Sequence, residues 1–215
     1  MPSTNTNTLS RRSFIKGAAL LGAMIPLSSI LAACSTDDNN AEEGQQAASS
    51  DSQAASSILI AYYSAQGHTE SVARVLADEL EADTFVITPA QPYTNDDLNY
   101  NNDDSRVSKE HIDDNRHVEL ETITPENFDN YDTVLIGYPI WWANAAWVLD
   151  DFVSENDFTG KTVIPFCTSA SSPLGQSGEL LAEMARTGNW QDGMRFRQSA
   201  DEEEVRQWAN DLSLS

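Results

Sequence analysis

The sequence predicts an α/β domain built on a doubly wound, five-stranded parallel sheet, preceded by an export signal and a polar tether. Three observations predict it. Short apolar runs alternate along the chain with segments whose apolar residues recur at helical spacing. The runs are apolar throughout instead of alternating with polar residues, as strands covered on both faces require. The first fifty-six residues have neither pattern and divide into an address and a linker.

Residues 1–33 read as a signal peptide. Ser10-Arg11-Arg12-Ser13-Phe14-Ile15-Lys16 gives a charged start, Gly17 to Ala33 a short apolar middle, and Leu31-Ala32-Ala33-Cys34 a small-residue cleavage site. The apolar stretch is interrupted by Gly22 and Pro26 and is short for a membrane span. The paired arginines resemble a twin-arginine signal, and Leu-Ala-Ala-Cys resembles a bacterial lipoprotein box. Together they imply export of a folded protein, cleavage before Cys34 and lipidation of that cysteine, which places the chain on the outer face of a cell membrane. A folded export route suits a protein that loads a cofactor beforehand. Each acyl chain contributes about 0.8 kcal/mol per buried CH₂, so two or more chains anchor firmly. Residues 34–56 are the lipidated cysteine and a linker of Ser, Asp, Asn, Ala, Gln and Glu, expected to be disordered. As a flexible coil, the linker spans about 25 Å on average. Residues 57–215 form the predicted domain.

The chain of 215 residues carries a formal net charge of -22. Its only charges before Asp37 are the basic Arg11, Arg12 and Lys16, so the exported part is more acidic still. Such a field repels nucleic acid and anionic lipid headgroups and favours either a partner with a basic face or a high-salt setting. Of the two cysteines, Cys34 is committed to the lipid and Cys167 falls in a predicted strand, as a small apolar residue more than a redox thiol.

Within the domain, Ile58–Tyr63 is the first strand, broken by Ser64–Thr69. Val72, Ala73, Val75, Leu76 and Leu80 then recur at helical spacing opposite Glu70, Arg74, Asp78 and Glu79. Thr84–Ile87 is the second strand and Thr133–Tyr138 the third. Ala145–Ser154 reads as a helix, Lys161–Cys167 as the fourth strand despite Pro165, and Ser177–Arg186 as a helix. Met194–Arg197 is a short fifth strand, and Glu202–Leu212 a closing helix that buries Val205, Trp208 and Leu212. The Asn- and Asp-rich stretch Gln91–Val118 breaks the alternation. Its length predicts an excursion carrying a short helix near Arg106–Ile112.

Ligands of open parallel sheets bind outside the carboxyl ends of the strands, and three loops there are unusual. Ser64-Ala65-Gln66-Gly67-His68-Thr69 supplies hydroxyls, a glycine and the start of a helix, hence free amides and the positive end of the helix dipole. It has no lysine and fits neither G-x-G-x-x-G nor a nucleoside-triphosphate loop. Hydroxyls and amides without a cation suit one buried monophosphate. In the second loop Pro139, Ile140, Trp141, Trp142 and Ala143 put two indoles at the rim, which suits an aromatic ring system. In the third, Thr168, Ser169, Ala170, Ser172 and Gly175 offer small side chains and backbone donors for a ring edge.

On these motifs residues 58–212 resemble the flavodoxin family. Tyr63–Thr69 is similar to its phosphate loop, usually Ser/Thr-x-Thr-Gly-Asn-Thr, with Gln66 in place of Thr and His68 in place of Asn. Gly137-Tyr138-Pro139-Ile140-Trp141-Trp142 resembles the second flavin loop, in the small bacterial branch with Pro-x-Trp-Trp, and Pro165-Phe166-Cys167-Thr168-Ser169 the start of the third. The resemblance implies FMN as cofactor, strand order 2-1-3-4-5 and one- or two-electron transfer. In many flavodoxins the third loop supplies an aromatic residue over the outer flavin face; residues 168–175 contain none. An open face would admit a second planar molecule, as in flavin-dependent quinone reductases of this fold. A phosphate dianion with no nearby cation, in a low-dielectric site, predicts a low-potential carrier. The leading expectation is therefore a tethered electron carrier. A reductase of quinones or similar acceptors and a flavin-free binding module are the alternatives.

Other chemistries lack support. Asp97–Asn102 begins like a calcium loop, but Ser108 stands where Glu is needed and Asn102 where the turn glycine is. His68, His111 and His117 have no zinc spacing with the cysteines. Gly175-Gln176-Ser177-Gly178 is not a nucleophile elbow.

Overall fold

The computed structural model describes residues 57–214. The expected signal peptide, Cys34 and the linker lie outside the described residues.

The elements follow in the order β1 (Ile58–Tyr62), α1 (His68–Leu80), β2 (Asp83–Val86), α2 (Arg106–Ile112), β3 (Thr133–Trp141), β4 (Asn144–Ala145), α3 (Asp150–Glu155), β5 (Thr162–Ser169), α4 (Ser177–Ala185), β6 (Asn189–Trp190), β7 (Met194–Arg197) and α5 (Glu202–Asp211). The parallel sheet runs β2-β1-β3-β5, and β5 pairs on its far side first with β6 and then with β7. Counting β7 as the fifth main strand, this is the expected order 2-1-3-4-5. The strand order reverses between β1 and β3, and the first and second loops leave the carboxyl ends of those two strands.

Burial on both faces explains why the central strands are apolar throughout. Leu59, Ala61, Val134, Ile136, Tyr138, Val163 and Cys167 face one core, which holds Trp147, Leu149, Phe152, Phe158 and Leu181. Ile58, Ile60, Tyr62, Leu135, Ile164, Phe166 and Phe196 face the other, completed by Val72, Leu76, Val205 and Ala209 of α1 and α5. Gly137 on β3 is required by this second layer: a Cβ there would lie 2.2 Å from the Phe166 ring.

Pro165 sits within central β5 because of how the edge is built. The Thr162 amide donates toward β3, to Asp132 O, whereas Val163 O accepts from Gln191 on the edge side. Alternation places Pro165 on the edge side as well, opposite the break between β6 and β7, so no partner awaits its absent N–H.

The predicted helix Ala145–Ser154 is corrected. β3 continues to Trp141, turns, and pairs back as β4, with Ile140 opposite Ala145 and Trp141 opposite Asn144. A 3-10 turn at Trp147–Leu149 then leads into α3. Trp142 and Ala143, the two turn residues, both have positive φ, 45° and 66°. That is the pattern of a type I′ hairpin turn, normally filled by Asn or Gly. The sequence lacks those residues, which hid the hairpin. The excursion agrees with expectation: α2 spans Arg106–Ile112, capped by Ser105, whose Oγ accepts from the Ser108 amide.

Candidate functional site

The three loops meet around one cavity of about 660 Å³, a volume in the usual range for small-molecule sites. Ser64, Ala65, Gln66, His68 and Thr69 line it from the first loop, Pro139, Ile140, Trp141 and Trp142 from the second, and Thr168, Ser169, Ala170 and Ser172 from the third. Gly67, Ala143 and Gly175 do not line it; each instead shapes its loop with positive φ. Gly67, at φ 85°, is the residue before α1 and turns the chain into the helix.

The first loop is prepared for an anion. Among the described residues the backbone N–H groups of residues 65–69 have no acceptor in the protein, while Glu70 N donates to Ser64 Oγ and Ser71 N to Gly67 O. These free donors stand at the positive end of the thirteen-residue helix α1. Thr69 is buried, and its hydroxyl lies 2.9 Å from that of Thr168, joining the first loop to the third.

The second loop is held in an aromatic cluster. Trp141 meets Tyr63, Tyr93 and Trp147 edge-on, at centroid distances of 5.7, 5.4 and 4.8 Å. Trp142 lies nearly parallel to His111 at 4.3 Å and is 38% exposed. So the indoles differ in role: Trp141 is wedged between rings, and Trp142 has one face on α2 and an edge toward solvent. Glu110 ties the excursion to this cluster. Its carboxylate accepts from Tyr93 Oη at 2.6 Å, Trp147 Nε1 at 2.9 Å and Arg106 Nε at 2.7 Å, and the Arg106 guanidinium lies 3.9 Å from the centre of the Tyr93 ring. Burial, then the hydrogen bond to Glu110, raises the Tyr93 phenol above its ordinary pKa, and burial raises that of Tyr63, so both stay protonated.

The third loop is braced from behind. Ser169 Oγ donates to Ser172 O, and the Arg195 guanidinium donates to Ser169 Oγ and O at 2.9 and 3.0 Å. The expectation of no nearby cation is therefore corrected. Arg195 escaped notice because it is brought in by strand pairing, opposite Cys167. The Cys167 thiol is buried and pushed up to about 12 by desolvation, with Arg195 opposing, so it is a thiol and not a thiolate.

Five lining residues were not anticipated: Leu98, Tyr100 and Val107 from the excursion, Ser171 from the third loop, and Gln198 just after β7. Tyr100, 69% exposed, brings to the rim the aromatic ring that the third loop lacks. Its signal in the sequence was a lone aromatic within a run of Asn and Asp.

The flavodoxin family model matches residues 57–212. The chain belongs to the flavodoxin family. Among solved structures, this flavodoxin-family chain is similar to a protein from Bacteroides eggerthii described as a flavoprotein, at 38% identity and TM-score 0.67, covering 74% of this chain and 99% of that one. A second described as a flavoprotein, from Bacteroides uniformis, gives 35% identity and TM-score 0.67, over 72% and 98%. The fold is shared as well with a Lactobacillus acidophilus flavoprotein solved in complex with FMN, at 23% identity and TM-score 0.52, over 72% and 99%. No curated protein matches the chain.

Proposed function

We propose that this chain is an FMN-binding electron-transfer protein, tethered through a lipid on Cys34 to the outer face of the membrane and exchanging electrons with a partner that presents a basic face. The observation that carries the cofactor assignment is that unpaired amides at the start of α1 and a pair of indoles line the same cavity. FMN, when bound, supplies a ring system that takes up and returns one or two electrons. The donor set fits its phosphate: backbone N–H groups, the Ser64 and Thr69 hydroxyls and a helix N-terminus. The apolar walls Pro139, Ile140, Leu98 and Val107, with Trp141, Trp142 and Tyr100, fit its rings and exclude water from them. The FMN-bound Lactobacillus acidophilus relative supports the same reading.

The tether rests on the signal and the lipoprotein box, and the partner on the net charge of -22. A second reading, a flavin-dependent reductase of quinones or similar acceptors, rests on the absence of an aromatic residue among 168–175 and requires that Tyr100 at the rim leave the outer flavin face open to a second planar molecule. The decisive experiment is heat release and identification of the cofactor from the purified full chain. A yellow protein that releases FMN is expected; a colourless chain that binds no added FMN leaves the flavin-free module standing. Steady-state oxidation of NAD(P)H with a quinone separates reductase from carrier. Loss of membrane association in C34A tests the tether.

A further inference from the structure

Arg195 stands on β7 and reaches diagonally across the pair to the end of β5, where both of its donating nitrogens engage Ser169. Ser169 passes the constraint on, because its hydroxyl donates to Ser172 O and closes residues 169–172 into a turn. Ser169, Ala170, Ser171 and Ser172 all line the cavity. Arg74, Arg106 and Arg206 each pair with a carboxylate, whereas Arg195 has no ion pair among the described residues. Its charge is thus half-buried, un-neutralised and one side chain away from the site.

We infer that Arg195 is a positioning residue for the third loop and, through its charge, sets the balance between the oxidised and reduced forms of the bound cofactor. This rests on the FMN reading above. A ring that has accepted two electrons and one proton carries one more negative charge than before. A fixed guanidinium in a poorly screened place stabilises the more negative form. The two functions separate chemically. The planar fork can hold Ser169 Oγ and O together, which a lysine ammonium does not reproduce, although lysine keeps the charge.

The test compares the full chain, loaded with FMN, as wild type, R195Q, R195K and R197Q. Dissociation constants for oxidised and dithionite-reduced FMN are measured beside the potential in an equilibrium dye titration. Melting of the apo chain controls for folding. In R195Q the ratio of reduced-state to oxidised-state dissociation constants should rise about tenfold, which makes the potential about 30 mV more negative for a two-electron couple. R195K should weaken binding in both states but keep the ratio within about twofold. R197Q, an exposed neighbour on the same strand, should change nothing. An R195Q ratio equal to wild type in a chain that binds FMN overturns this inference alone, as does an R195K ratio displaced as far as that of R195Q. If R195Q does not fold, R195K decides by itself: weaker binding in both states with a retained ratio supports the inference, whereas unchanged binding or a tenfold rise in the ratio overturns it. A wild-type chain that takes up no FMN overturns the cofactor reading, and this inference with it.

Discussion

Thr69, at the start of α1, and Thr168, at the end of β5, share a hydrogen bond of 2.9 Å between hydroxyls, both side chains being buried. The contact spans two strands of the sheet and fastens the anion-ready loop to the third loop. Thr69 can donate to a phosphate oxygen while accepting from Thr168, so loading the site need not orphan either hydroxyl. T69A should therefore weaken FMN binding by the worth of one charge-assisted hydrogen bond, about 1.5–3 kcal/mol, roughly tenfold to a hundredfold in Kd. T69S, which keeps the hydroxyl, should stay within about threefold of wild type, a loss of under 1 kcal/mol. Fluorescence titration of the apo chain with FMN measures both, and equal losses in the two variants would count against a hydroxyl contact.

Tyr100 gives a contrasting prediction, because it is exposed and joins no core. Y100A should leave the melting temperature of the apo chain unchanged, as surface substitutions generally stay within about 0.5 kcal/mol. Loss of a ring stacked on the cofactor should nonetheless speed FMN release, by about threefold to tenfold for 0.5–1.5 kcal/mol. Stopped-flow dissociation provides the readout. An unchanged off-rate would mean that the phenol does not reach the rings.

The β3–β4 turn holds strain. Ala143 has φ 66° and Trp142 φ 45°, a left-handed conformation that L residues adopt at a cost. A143G should relieve it and stabilise the apo chain by about 0.5–1 kcal/mol. Since Ala143 does not line the cavity, FMN affinity should be unaffected. Denaturant unfolding followed by tryptophan fluorescence tests the gain; a destabilised A143G would show that the methyl group packs usefully.

The strain also explains why this hairpin was illegible in the sequence. The strands, the excursion helix and the three rim loops could be read, because each leaves a local mark: apolar runs where both sheet faces are covered, a long break in the alternation, glycine and hydroxyls before α1; the strand order came from the family resemblance. A turn of Trp and Ala leaves none, and the apolar residues that follow it matched a helical pattern. Tyr100 and Arg195 were missed for another reason. Tyr100 reaches the rim on an excursion held through Glu110 by Tyr93 and Trp147, which lie 17 and 37 residues from it in sequence. Arg195 reaches Ser169 through β5–β7 pairing. Contacts of that kind are set by tertiary structure and leave no periodicity.

Asp150, the first residue of α3, supplies a pH-dependent prediction remote from any ligand. Its carboxyl is raised from the ordinary 3.8 to about 6, chiefly by burial, with Arg116 lowering it and Asp151 raising it. Below about pH 4 it is protonated in both folded and unfolded chains and contributes nothing. Between about pH 4 and 6 the folded chain holds the proton more tightly, so stability from this group falls as pH rises. Above pH 6 the buried carboxylate is charged and the penalty is complete, about 1–2 kcal/mol after allowance for partial solvent screening. Asparagine keeps the shape and cannot ionise. D150N should therefore be more stable than wild type at pH 7.5, less a few tenths of a kcal/mol for the lost charge at the helix start. The advantage should shrink steadily as pH falls and vanish near pH 4. Thermal melts of both chains across that range give the difference curve. A gap that is constant with pH would assign the effect to packing, and a gap that widens on acidification would reverse the sign of the shift.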